Sequence, residues 1–210
     1  LLGAPPERIW TRAWGVDEEA LVPGIRSRAP RAAGEPVRIL WSRMLEPIYD
    51  PGTLLRALGL LRRRGVAFRA SIAGDGPLRA GLEALAREEG IEHDVRFEGF
   101  VPMERLRGLY RDADLYVSLS RSDSTSQSLL EAMAAGLFPI VSDIAGNREW
   151  ITHRREGYLV PPGDAEAVAC AVAEAASAPD AAAMAALARS AVEARAWIPG
   201  PSDRTAATTS

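Results

Sequence analysis

The sequence predicts an α/β fold: a Rossmann-like parallel sheet with helices on both faces. Three observations point to it. Short apolar runs alternate with stretches of helical periodicity from Val37 to Ala178. The helical stretches have the length of the crossovers that parallel strands require. The polar, small-residue loops follow the apolar runs, and ligands in such sheets bind beyond the strand carboxyl ends.

Taken in order, the apolar runs VRILWS (37–42), FRASIA (68–73), DVRFEG (94–99), DLYVSL (114–119), FPIVSD (138–143) and GYLVP (157–161) read as strands. The intervening stretches read as helices near 52–64, 77–89, 103–111, 127–135 and 165–177, with an Ala-rich helix near 180–195. Pro102 suits the first turn of the third of these, since a proline there gives up no intrahelical hydrogen bond. The domain is therefore expected over 37–196. The tail at 197–210 lacks apolar periodicity and is expected to be disordered or aberrant.

Composition narrows the function. The chain has 210 residues, enough for one domain with a substantial core, and 25% charged residues, as in ordinary soluble proteins. A net charge of −3 argues against a nucleic-acid partner. All 25 basic residues are arginines, so no chemistry of this chain can rest on a lysine. Cys170 is the only cysteine, which excludes an intrachain disulfide and fits a reducing, cytoplasmic location. No apolar run reaches spanning length, and residues 1–30 lack the pattern of a signal peptide.

The most informative stretch runs from Ser120 to Ile151. Asp123 lies in a Ser/Thr-rich loop, and Glu131 follows after seven intervening residues, inside a helix. A helix N-terminus offers unpaired N–H groups and a partial positive charge to an anion. Carboxylates on either side can accept hydrogen bonds from sugar hydroxyls. A nucleotide-sugar has that layout of hydroxyls and central phosphates. The plainer alternative is a pair of solvated acids beside an amphipathic helix.

The run LLEAMAAG (Leu129 to Gly136) after Asp123 resembles the nucleotide-sugar-binding element of retaining GT-B-type glycosyltransferases, in particular glycosyltransferase family four, also called glycosyl transferases group one. The first acid there is usually Glu and here is Asp123. STSQS replaces a Gly-rich loop, and NREW (147–150) resembles some branches of the family. Further matches are Ser42-Arg43 for Gly-Arg, Gly74-Asp75-Gly76-Pro77, and FEGFVP (97–102). Residues 1–36 resemble the connector leaving a first domain, so the resemblance implies a chain that holds the second half of a two-domain enzyme.

The resemblance implies roles residue by residue. Arg43 would bind the diphosphate and stabilise charge on the leaving group, with Ser42 beside it. Asp123 would meet the donor sugar and Glu131 the ribose. Backbone N–H groups of Ser126, Gln127 and Ser128 would face the distal phosphate. Gly74 and the backbone near Phe100 would lie against the donor, although a tight turn explains the Gly74 motif more simply. Ile48 stands where the family often has lysine, and a structural role for Asn147, Arg148 and Glu149 is as plausible as a binding one. Metal and cofactor are expected to be absent, His93 and His153 having no ligand spacing. The expected function is metal-independent transfer of a sugar, with retention, from a nucleoside-diphosphate sugar to an unidentified acceptor hydroxyl. Inactivity is expected without the first domain, through which any membrane association would run. Two alternatives stay open, a sugar-nucleotide epimerase and a non-catalytic nucleotide-binding module or fragment.

Overall fold

A computed structural model describes residues 34–178 and 180–195 of the chain. The expected tail at 197–210, and the expected connector up to residue 33, lie outside the described residues. Six strands form one parallel sheet: β1 (Val37–Trp41), β2 (Phe68–Ala73), β3 (Val95–Gly99), β4 (Leu115–Ser118), β5 (Phe138–Ser142) and β6 (Tyr158–Val160). Among the described residues, seven α-helices connect and follow them: α1 (Pro51–Arg63), α2 (Arg79–Glu88), α3 (Met103–Asp112), α4 (Gln127–Ala134), α5 (Ala145–Arg148), α6 (Ala165–Ser177) and α7 (Ala181–Arg195). Each strand and each longer helix lies within about two residues of its sequence-based position. Two short elements are additional, α5 and a 3-10 turn at Pro47–Tyr49, because four residues or fewer carry no readable period.

Strand order is β3-β2-β1-β4-β5-β6. The chain winds outward from β1 to β3, then returns to the centre and winds the other way. The seam is the β1–β4 pairing, where Ile39 lies beside Leu115 and Leu40 beside Tyr116. Loops leaving β1 and β4 turn to opposite sides of this seam and open a crevice at the strand carboxyl ends.

Alternation along the strands divides the core in two. Ile39, Trp41, Ile72, Val117 and Ile140 point to one face, where Leu54 and Leu58 of α1, Leu82 of α2 and Val168 and Val172 of α6 cover them. Leu40, Tyr116 and Val141 point to the other, against Tyr110 of α3, Leu130 and Met133 of α4 and Ala188 and Val192 of α7. Strands covered on both faces carry near-continuous apolar runs, as β4 and β5 do up to their terminal Ser118 and Ser142, with every residue buried. Each fully buried leucine or isoleucine contributes roughly 1.5–3 kcal/mol, so the layers hold the crevice walls in fixed register.

Candidate functional site

The loop after β1 is pinned before it presents a side chain. The Trp41 indole Nε1 donates to the Arg43 carbonyl at 3.0 Å. Gly74, at φ +147°, packs so closely on that carbonyl that a Cβ would lie 2.1 Å from its oxygen. Leu45 N donates to the Asp75 carbonyl at 2.9 Å and Leu78 N to the Leu45 carbonyl at 3.1 Å. The glycine motif is thus a buttress for the Arg43 backbone. Only a residue without a side chain permits that approach.

The Arg43 side chain crosses the seam to the β4 side. Its Nη2 donates to Asp123 Oδ2 at 2.5 Å, and its Nη1 donates to Ser126 Oγ at 2.8 Å and Ser128 Oγ at 3.2 Å. The Tyr49 ring lies under the guanidinium, 4.2 Å from centroid to Cζ, a cation–π contact. The pair is largely withdrawn from water, with side-chain exposures of 12% for Arg43 and 19% for Asp123. A second tie joins the same two loops: Arg121 donates from Nη2 to Asp50 Oδ2 at 2.8 Å, and from its backbone N to the Ile48 carbonyl at 2.8 Å.

Ser126 is the N-cap of α4, its hydroxyl accepting from Leu129 N at 3.3 Å. Gln127 and Ser128 open the helix, and first-turn N–H groups have no carbonyl acceptor within their own helix. That end of α4 therefore presents partial positive charge to the crevice beside Arg43. Gln127 is exposed and Ser128 half-buried.

Two buried tyrosines underlie this surface, and sequence reasoning does not find them. Tyr110 Oη lies 2.9 Å from Ser42 Oγ, and it donates to Glu131 Oε2 at 3.1 Å. Tyr116 Oη lies 2.7 Å from Ser128 Oγ. Ser42, Tyr110 and Glu131 thus form one chain of hydroxyl and carboxylate; Tyr116, Ser128 and Arg43 form another. Burial pushes the Tyr110 phenol well above its ordinary value, with Tyr116 and the Glu131 charge adding to the effect. Burial raises Tyr116 as well, against the opposing pull of Arg43. Both stay protonated at neutral pH. Their only sequence signal is a hydroxyl-bearing aromatic at a core position, which packing alone would explain.

The turn after β5 supports the Asp123 loop from behind. A Cβ on Gly146 would lie 1.8 Å from the Ser124 carbonyl oxygen and 2.8 Å from that of Asp123. Asn147 is buried and donates from Nδ2 to the Ser142 carbonyl at 2.8 Å; Ser142 Oγ donates to the Ser120 carbonyl at 2.5 Å. Asn147 therefore braces the ends of β4 and β5. Arg148 pairs with Asp143 at 2.6 Å, a hydrogen bond that holds the Asp143 carboxyl below its usual range.

The structure thus gathers Ser42, Arg43, Asp123, Ser126, Ser128 and Glu131 around one crevice. Gly74 stands behind it. Phe100 follows β3 at 84% exposure and reaches the group only through backbone, Gly99 bridging to Gly74. His153 Nδ1 accepts from Leu159 N at 3.1 Å. Among the described residues, no three or more His, Cys, Asp and Glu side chains are grouped to hold a metal ion.

Comparison with known proteins identifies the family and the fold. The family model of glycosyl transferases group 1 matches residues 26–191. The chain belongs to that family. It is 32% identical to the amylovoran biosynthesis glycosyltransferase AmsK of Erwinia amylovora, over 80% of this chain and 42% of the relative. It is 33% identical to a D-inositol 3-phosphate glycosyltransferase of Saccharomonospora viridis, over 86% of this chain and 44% of the relative. The chain thus spans less than half the length of these curated relatives. In fold it resembles Anabaena Alr3699/HepE, solved with UDP and glucose (TM-score 0.77, 20% identity, 99% of this chain and 58% of that one). It also resembles the pneumococcal O-GlcNAc transferase GtfA, solved with UDP and GlcNAc (TM-score 0.70, 20% identity, 77% of this chain and 33% of that one). No helix among the described residues is long and apolar enough to cross a membrane.

Proposed function

We propose that this chain is the donor-binding half of a glycosyltransferase that moves a sugar from a nucleoside diphosphate to an acceptor hydroxyl, with retention and without a metal ion. The observation that carries the reading is the convergence of Arg43 and the α4 N-terminus in the crevice between β1 and β4, with Asp123 and Glu131 beside them. In this reading the diphosphate lies over the α4 N-terminus, and Arg43 binds its oxygens. Glu131, oriented by Tyr110, accepts from the ribose hydroxyls, and Asp123 accepts from the sugar.

The chemical burden of such a transfer is negative charge on the departing diphosphate. Fixed cations and dipoles aimed at that charge lower the barrier without reorganising during the reaction. Arg43 and α4 supply both from this chain. Tyr49 and the serine hydroxyls hold the guanidinium in place before the ligand arrives. The nucleotide ligands of the solved structural neighbours are compatible with a nucleoside-diphosphate donor here.

An acceptor must also be held near the anomeric carbon, and orientation of that kind supplies roughly 7–11 kcal/mol. We assign that task to a further domain, in keeping with the greater length of the relatives. Titration calorimetry with UDP and GDP, with and without chelator, tests the donor half. Binding is expected in both conditions, and binding lost with chelator would overturn the metal-free reading. Acceptor-dependent sugar transfer by the 210-residue chain alone, followed by mass spectrometry, would overturn the division of labour.

A further inference from the structure

Arg43 and Asp123 would both be needed by a donor, yet in the structure each already holds the other. The guanidinium donates to Asp123 Oδ2 at 2.5 Å, its other terminal nitrogen is committed to Ser126 and Ser128, and its face rests on Tyr49. We infer that Asp123 makes this crevice select the glycosylated donor over the spent nucleoside diphosphate. The inference rests on the donor-site reading above and assigns the site's preference between the two ligands.

The reasoning is electrostatic. A phosphate oxygen accepting from the Arg43 guanidinium lies within about 6 Å of the Asp123 carboxylate, a range in which neighbouring charges act strongly on each other. With exposures of 12% and 19%, Arg43 and Asp123 are poorly screened by water. Every diphosphate therefore meets a like charge beside its cation. Two differences separate donor from product. The free diphosphate carries up to about one more negative charge, because its terminal phosphate ionises a second time near pH 6. The glycosylated form also brings hydroxyls, which can donate to Asp123 the hydrogen bonds that Arg43 withdraws as it turns to phosphate. In the donor complex Asp123 exchanges one partner for others. In the product complex it is left facing an anion, or it retains Arg43 and denies it to the phosphate. Donor is retained and product is expelled.

The test is Asp123→Asn, which keeps the side chain's shape and removes its charge, in the 210-residue chain. Affinities for UDP and UDP-glucose, and for GDP and GDP-mannose, are measured by calorimetry against the unmodified chain. The free diphosphate is expected to bind about tenfold more tightly or better, since like-charge juxtaposition is costly at buried contacts. The sugar nucleotide escapes the same repulsion but loses its charged hydrogen bonds to Asp123, so its affinity changes little and its advantage over the product shrinks by about that factor. Asp123→Ser, which also lacks the charge, serves if the amide disturbs the loop. A donor-to-product affinity ratio unchanged within about twofold in both variants overturns the inference while leaving the donor site standing. Absence of binding by the unmodified chain to all four ligands overturns the donor site itself, and the inference with it.

Discussion

The Tyr110 hydroxyl stands between Ser42 and Glu131, and this position separates two consequences of removing it. The ring projects from α3 into the core shared with Leu40 of β1 and Tyr116 of β4, so Tyr110→Phe leaves packing intact. What is lost is the donor to the Glu131 carboxylate, a charged hydrogen bond worth roughly 1.5–3 kcal/mol. If Glu131 meets the ribose, Tyr110→Phe should weaken UDP about tenfold and leave inorganic pyrophosphate unaffected in the same calorimeter. Glu131→Ala should weaken UDP about tenfold to a hundredfold, with the circular dichroism spectrum unchanged. Equal losses for UDP and pyrophosphate would assign the hydroxyl to the fold rather than to the nucleotide. Asp123 and Glu131 stand out in the sequence through the resemblance carried by LLEAMAAG and the loop before it, and the structure brings both to the same crevice. Tyr110 and Tyr116 do not stand out, because their hydroxyl partners are set by how α3 and β4 pack beside β1 and α4. No local pattern encodes that.

Among the elements, α5 illustrates the limit of periodicity. Its four residues are too few to show a repeat, yet it carries Gly146 against the Asp123 loop. Gly146→Ala must push backbone, which relaxes poorly, so a destabilisation of about 1–3 kcal/mol is expected. UDP binding should weaken as well. Gly81 supplies the control: it lies within α2, and a Cβ there meets nothing within 4 Å. Gly81→Ala should stabilise by up to about 1 kcal/mol through helix propensity alone. Urea denaturation of both variants checks the pair, and equal signs would contradict the close packing of α5. The longer elements were legible because each buries a stripe or a whole run of apolar residues. The GDGP turn was legible as a turn, while its service to the Arg43 backbone depended on β2 lying beside β1.

Considered as a whole molecule, the domain keeps the phenols of Tyr110 and Tyr116, among others, protonated in its interior. An unfolded tyrosine loses its proton near pH 10. Tyr110 and Tyr116 lose theirs later, because burial raises both. The folded state then binds more protons than the unfolded state once the pH passes about 10, so stability falls as pH rises. Below pH 10 this contribution is fully present. The urea midpoint should therefore decline above about pH 10, and less steeply in Tyr110→Phe. A midpoint that stays level to pH 11 would contradict the burial of these hydroxyls.

The seam between β1 and β4 also has a consequence for the order of folding. Arg43 and Asp123 are 80 residues apart in the chain, and they meet only because two strands from opposite windings of the sheet pair at its centre. A half-formed sheet, β1 to β3 or β4 to β6 alone, has one wall of the crevice and lacks the Arg43–Asp123 pair. Contacts so distant in sequence close large loops and form slowly. Nucleotide binding during refolding should therefore appear with the joining of the two windings, later than the secondary structure within each. A ligand-dependent signal would thus time the completion of the sheet.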